Sequence, residues 1–270
     1  MLFTFNALLA TTLGAFVGKY LAMVVHYLPP MLLDETDKEK EPNDILKRFF
    51  QKPHCGNCQG AISWWDNAPI YGYLSLKGRC PLCNHPLGIK VLVLEVGTAL
   101  LFGASVLFFP FDTTLFFVLI ACCLLLCCFF TDFEHGILPD QFTISLVWLG
   151  LIGSLFPIFL TPKEAIMGAV GGYGILWFFN LIYSYLRGFE GMYPGDFKLN
   201  AGIGACVGLP WLFVILIISF IFLLAFTVLQ FLFFKRTINK SILKQEAPYG
   251  CYSSIVTGVA LYSILSGTLI

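Results

Sequence analysis

Long apolar runs alternate with short polar breaks along this chain. The runs lie at about 6–28, 90–110, 113–131, 142–160, 165–186, 198–208, 210–234 and 250–269. Crossing about 30 Å of hydrocarbon takes roughly 20 residues of α-helix, so the pattern predicts membrane-spanning helices. The stretch from Leu199 to Phe234 is too long for one crossing. Gly208-Leu209-Pro210 offers a break inside it, because proline disrupts a helix interior. That stretch is therefore read as two helices, the first of them short, and the total expected is eight spans. The first run lacks a basic start and a small-residue cleavage site and is too long for a signal peptide, so it is expected to be an anchor.

Composition agrees with this reading. Hydrophobic residues make up 58% of 270 and charged residues only 12%, with 28 Phe and a mean hydropathy of +0.82. A typical globular domain carries about 25% charged residues, so an ordinary soluble fold is excluded. The expected fold is an all-α polytopic membrane protein of about eight transmembrane helices, with the bilayer as its solvent and a zinc-ribbon-like loop domain on the cytoplasmic side. Three parts are expected: a first transmembrane helix at 1–29, a loop domain at 30–89 and a transmembrane core at 90–270. A net charge of zero argues against nucleic-acid binding.

Charge distribution gives the orientation. Loop 30–90 carries Lys38, Lys40, Lys47, Arg48, Lys52, Lys77, Arg79 and Lys90; Arg187 and Lys198 flank a second loop; Lys235, Arg236, Lys240 and Lys244 occupy a third. With eight spans these loops share one side, and they hold 14 of the 16 basic residues. The opposite side keeps Lys163, and Lys19 lies within the first span. Lys and Arg concentrate on the cytoplasmic side. The large first loop is thus expected in the cytoplasm, and the loop at 131–141 with it.

Two kinds of chemistry stand out. Cys55-Gly-Asn-Cys58 and Cys80-Pro-Leu-Cys83 are paired C-x-x-C turns separated by 21 residues. Such a set in a reducing compartment suits Zn²⁺ held by four sulfurs as a closed structural site; the alternative is four free thiols in a loop. The remaining cysteines, Cys122, Cys123, Cys127, Cys128, Cys206 and Cys251, lie in or beside spans and read as packing. Ionisable residues in or beside a span are expensive, which makes them functional candidates. Glu95 lies a turn inside the second span, where it reads as reaching back to the interface. Asp132 ends the third span and Asp196 opens the sixth. Two carboxylates brought together can divide acid and base roles, as aspartic proteases do. Asp196 also suits a helix cap, whereas Asp132, at a helix end, suits one poorly; Asp140, after Leu138-Pro139, is the more natural cap.

These segments together resemble the type IV prepilin leader peptidase/N-methyltransferase family, and the resemblance runs from Gly18 to about Gly208. It is carried by Gly18-Lys-Tyr-Leu-Ala-Met-Val-Val-His-Tyr-Leu-Pro29, by the two thiol pairs around Trp64-Trp65-Asp66-Asn67-Ala68-Pro69, by Thr131-Asp132-Phe-Glu-His-Gly-Ile-Leu138-Pro139-Asp140, and by Gly191-Met-Tyr-Pro-Gly195-Asp196-Phe-Lys198-Leu. The last is similar to the GxGD motif of intramembrane aspartyl proteases. The chain departs from the pattern at Tyr193, where the motif has its first glycine, at Pro194 inside it, and at Ala22 and Tyr27, which replace an Asn and an Arg.

The resemblance implies catalytic aspartates at Asp132 and Asp196. Gly195 would allow close backbone approach, and Lys198 is a candidate support for Asp196. It implies cleavage of the leader from type IV prepilins or type II secretion pseudopilins, after a glycine, at the cytoplasmic face of the bacterial inner membrane. It also implies N-methylation of the new N-terminus with S-adenosyl-L-methionine as donor, although no glycine-rich fingerprint for that donor is present and its binding residues are unassigned. Trp64 and Trp65 are interfacial anchors or substrate contacts. The competing reading is a transporter or channel with intramembrane carboxylates and a zinc-bound regulatory loop; against it, the sequence has no clear internal repeat of the kind many transporters carry.

Overall fold

The computed structural model describes residues 2–33, 58, 60, 61, 63, 66, 68–86, 88–156, 158, 160–188, 191–233 and 249–265. Cys55, Trp64, Trp65, residues 34–57 and the basic loop around Lys235, Arg236, Lys240 and Lys244 lie outside the described residues. Among the described residues every regular element is helical: α1 Leu2–Leu33, α2 Tyr71–Ser75, α3 Ile89–Phe108, α4 Thr113–His135, α5 Asp140–Leu155, α6 Pro162–Arg187, α7 Pro194–Phe233 and α8 Tyr249–Leu265. Five of them, α1, α3, α4, α6 and α7, are long and apolar enough to cross a membrane; α5 and α8 are shorter apolar helices. The protein is a multi-pass, all-α membrane protein.

The longest helix contains the expected break. As one rod, the 40 residues of α7 would run about 60 Å, twice the hydrocarbon thickness. At Gly208 the backbone leaves the helix, with φ 77° and ψ 169°, a region open in practice only to glycine. Pro210 follows two residues later and cannot donate to the preceding turn. Two arms result, at 194–207 and 209–233, so the apolar helical segments among the described residues number eight, matching the eight apolar runs of the sequence. The fourth differs from its expected bounds: α5 stops at Leu155, two residues before Pro157, rather than running to 160.

The chain divides into two compact units, Met1–Pro110 and Phe111–Ile270. In the first, α1 packs along α3 through small residues. A Cβ on Gly14 would meet the Thr98 carbonyl oxygen at 2.8 Å, and one on Gly18 would meet Glu95 Cα at 2.8 Å. In the second, α6 and α7 approach equally closely: a Cβ on Gly168 would run into the Gly204 carbonyl, and one on Gly172 into the Asn200 carbonyl. Hydrocarbon gives helices little hydrophobic reason to associate, so close backbone contact over small residues holds them. Leu146, Leu199, Ile203, Leu212, Ile215 and Leu261 fill the fully buried centre of this unit between α5, α7 and α8.

Candidate active site

Both motif aspartates are buried, Asp132 at 7% and Asp196 at 8% exposure, and both stand at helix ends of the second unit. Asp132 lies in the last turn of α4. Gly136, left-handed at φ 64°, closes that helix by donating its N–H to the Asp132 carbonyl at 2.9 Å. The Asp132 carboxylate points across to the first turn of α8, where Oδ2 accepts the Cys251 N–H at 2.8 Å. A free N–H in a helix's first turn is a natural donor to an anion. Gly250 makes room for this contact: a Cβ there would lie 3.0 Å from Asp132 Oδ2 and 2.9 Å from Leu138 Cδ1.

Asp196 occupies the first turn of α7, behind Pro194 at a position that suits proline. Its Oδ2 accepts the Tyr193 N–H at 3.3 Å, and its own N–H donates to the Tyr193 carbonyl at 3.1 Å. Tyr193 and Pro194, the departures from the motif, thus form the helix start that presents Asp196. Beside it, a Cβ on Gly195 would meet Leu138 Cβ at 2.9 Å. Leu138 therefore touches the residue before Asp196 on one side and the glycine over Asp132 on the other. From the side of α8, the Tyr249 hydroxyl reaches Asn200, one turn beyond Asp196, at 3.1 Å. The end of α4 and the start of α7 thus share Leu138 and the first turn of α8 as neighbours.

The other acidic candidates have structural partners. Asp140 falls inside the first turn of α5 and makes no side-chain cap; Pro139 holds the cap position instead. Its carboxylate takes Lys198 Nζ at 2.6 and 2.8 Å. Lys198, expected beside Asp196, thereby joins the start of α7 to the start of α5. Glu95 does not reach to the interface as expected. It is 1% exposed, its Oε2 accepts the Ile70 N–H at 2.6 Å, and its Oε1 forms an ion pair with Lys19 Nζ at 3.0 Å, off the angle of a hydrogen bond.

Three of the four motif thiols are described, and they converge. The sulfurs of Cys58, Cys80 and Cys83 lie within 4.8 Å of one another, with Cys58 and Cys80 at 3.9 Å. Sulfurs bound tetrahedrally at 2.3 Å to one zinc stand about 3.8 Å apart, so the cluster fits that ion. The second pair sits on a tight knuckle. Cys80 N–H donates to the His85 carbonyl at 2.9 Å, Asn84 N–H to the Cys80 carbonyl at 3.0 Å, and Arg79 bridges to Pro86. Cys55 lies outside the described residues.

Comparison with known proteins agrees with this anatomy. The profile of the bacterial peptidase A24 N-terminal domain matches residues 12–109, and that of the type IV leader peptidase family matches residues 119–228. A prepilin leader peptidase/N-methyltransferase of Pseudomonas putida is 32% identical over 273 residues, covering 94% of this chain and 89% of that protein. The chain belongs to the type IV leader peptidase family. Proteins of the same name from Neisseria gonorrhoeae (33% identical, 78% of this chain and 77% of that protein) and Pseudomonas aeruginosa (34%, 73% and 71%) are also similar to it. No solved structure matches the chain.

The sequence reading of this leader peptidase family member missed the first turn of α8. Cys251, read as packing, places its N–H on Asp132 and its thiol 3.2 Å from the Phe129 carbonyl. Its neighbours Tyr249 and Gly250 are neutral, and the span that they open carries no charge to draw attention. The one available signal was Gly250 at the head of the last apolar run, just after Pro248.

Proposed function

We propose that this protein is a membrane aspartic endopeptidase that removes the leader peptide from type IV prepilins or type II secretion pseudopilins and then N-methylates the exposed residue. The observation that carries the peptidase reading is the placement of two buried carboxylates on helix ends that share Leu138 and the first turn of α8 as neighbours: Asp132 bonds Cys251, and Asn200, one turn after Asp196, bonds Tyr249. Buried together, like-charged groups share a proton more readily than both ionise. The ionised aspartate takes a proton from water as its oxygen attacks the peptide carbonyl. The protonated one donates a hydrogen bond to the carbonyl oxygen, and a proton then passes to the departing amine. Gly250 keeps side-chain bulk away from the Asp132 carboxylate, and Gly195 lets Leu138 lie against the residue before Asp196.

The finer attributions follow from charge and chemistry. The clustering of 14 of 16 basic residues in three loops supports an inner-membrane protein with its thiol loop and aspartates on the cytoplasmic side. Cys58, Cys80 and Cys83, with Cys55, would hold Zn²⁺, which serves as a cross-link for the loop. S-adenosyl-L-methionine is the proposed methyl donor, and it supplies the transferred methyl group. The described residues contain no strand–turn–helix cradle for such a donor.

The test is leader cleavage by membranes carrying Asp132→Asn or Asp196→Asn, with a prepilin as substrate and comparable amounts of protein. Each single variant is expected to be inactive and the double little worse, because residues acting as a unit are not additive. Methylation of an already processed pilin should survive, since an amine needs no activated water. Near wild-type cleavage by Asp132→Asn would overturn the assignment.

A further inference from the structure

Between the two carboxylates runs a short chain of buried polar contacts that the peptidase chemistry above leaves unused. Asn200 lies one turn beyond Asp196 on α7 and is fully buried. Its Nδ2 donates to the Asp196 backbone carbonyl at 2.9 Å. A carbonyl can only accept, so the amide must turn its NH₂ that way and its oxygen outward. That oxygen, Oδ1, accepts the Tyr249 hydroxyl at 3.1 Å. Tyr249 is 3% exposed, and its ring packs on Phe220 of the same α7 with centroids 5.3 Å apart. Two residues further along α8, the Cys251 N–H holds Asp132.

We infer that Asn200 and Tyr249 form a positioning pair that sets the separation of Asp132 from Asp196. The inference rests on the dyad proposed above. Asp196 is fixed to α7 and Asp132 is fixed to the first turn of α8. The Asn200–Tyr249 hydrogen bond is what couples those two turns, in a place where neither polar group has water as an alternative partner. Losing either partner strands the other, and the stranded group moves to find a new one. A shift of about 1 Å in a catalytic group costs on the order of a hundredfold in rate. Replacing both partners breaks the same bond and adds no second loss of coupling. Neither side chain touches the reacting atoms in this assignment; both act through the aspartates.

The experiment is a double-mutant cycle on the full chain in membranes, with Tyr249→Phe, Asn200→Leu and the double variant, read as kcat and KM for prepilin cleavage. Methylation of a processed pilin and the amount of protein in the membrane are measured alongside. Each single variant should lose roughly 10- to 100-fold in kcat, with KM within about twofold and methylation unchanged. The double variant should lose no more than the worse single variant, a coupling that two independent packing defects would not produce. Wild-type kcat in Tyr249→Phe, or a double variant whose loss is the product of the two single losses, overturns the pair. Asp132→Asn runs in the same assay. If it is inactive while Tyr249→Phe is unimpaired, the pair alone falls; if it cleaves, the dyad falls first.

Discussion

Glu95 in the first unit and Asp132 in the second are both acids buried against apolar helices, at 1% and 7% exposure. Their surroundings differ in kind. Glu95 has a cation, Lys19, 3.0 Å from one oxygen and the Ile70 N–H on the other. Its charge is matched, and the match ties α1, α3 and the turn before α2 together. Asp132 takes the neutral N–H of Cys251, across a glycine that leaves its carboxylate uncrowded. A buried acid with a countercharge serves as a joint that is costly to break. One held by a backbone N–H has no cation in that contact, and in the assignment proposed above it is the acid that does the chemistry. The same expensive residue type therefore builds in one unit and, in that assignment, reacts in the other.

The comparison is tested first by removing each acid. Asp132→Asn should lower leader cleavage by at least about 10³-fold. It should leave the unfolding temperature of detergent-solubilised protein almost unchanged, because the asparagine oxygen can still accept from Cys251. Breaking the thiol cluster comes next in size. Cys58→Ser or Cys80→Ser should release about one metal ion per chain, since loss of one of four thiolates opens the shell. Fresh, chelator-free wild-type protein that contains no metal would rule this out. Glu95→Ala should cost stability rather than chemistry, on the order of 2 kcal/mol. That is below the 3–5 kcal/mol of a wholly buried broken pair because the Lys19 side chain is 31% exposed. Glu95→Gln, which keeps an acceptor for Ile70, should lose about 1 kcal/mol. A Glu95→Gln variant that is stable but catalytically dead would place Glu95 with the reacting acids and erase the contrast.

What could be read from the sequence follows the range of the interactions. The break in α7 was legible because Gly208 and Pro210 act on their own backbone. The aspartates were legible because a charge at the end of an apolar run stands out alone. Pairings across long separations were not. Cys251 donates to an acid 119 positions earlier, and Tyr249 to an amide 49 positions earlier. Neither pairing leaves a trace in local periodicity. Lys19 and Glu95 each stood out as a charge within a span, yet nothing in the pattern says that their helices are neighbours. The small residues that make them so, Gly14 and Gly18, look like any other glycines in an apolar run. Asp140 misled for the opposite reason. Local rules favour a cap there, and the distant Lys198 claimed the side chain instead.

That last pair gives the smallest effect and the sharpest check on which acids react. Lys198 Nζ contacts both Asp140 oxygens, but the side chains are 31% and 55% exposed, so water and salt screen their attraction. Exposed pairs contribute about 0–1 kcal/mol. Asp140→Asn and Lys198→Met should therefore each lose less than about 1 kcal/mol of stability. Cleavage should stay within about threefold of wild type at low ionic strength, and the gap should close near 0.5 M salt, where screening acts over only a few ångströms. Lys198 sits two residues from Asp196 on the same helix, so a small effect on rate is expected through the start of α7. A dead Asp140→Asn variant has a different meaning. It would make the exposed acid the partner of Asp196, leave Asp132 as a buried joint like Glu95, and move the boundary between building and reacting acids into the second unit itself.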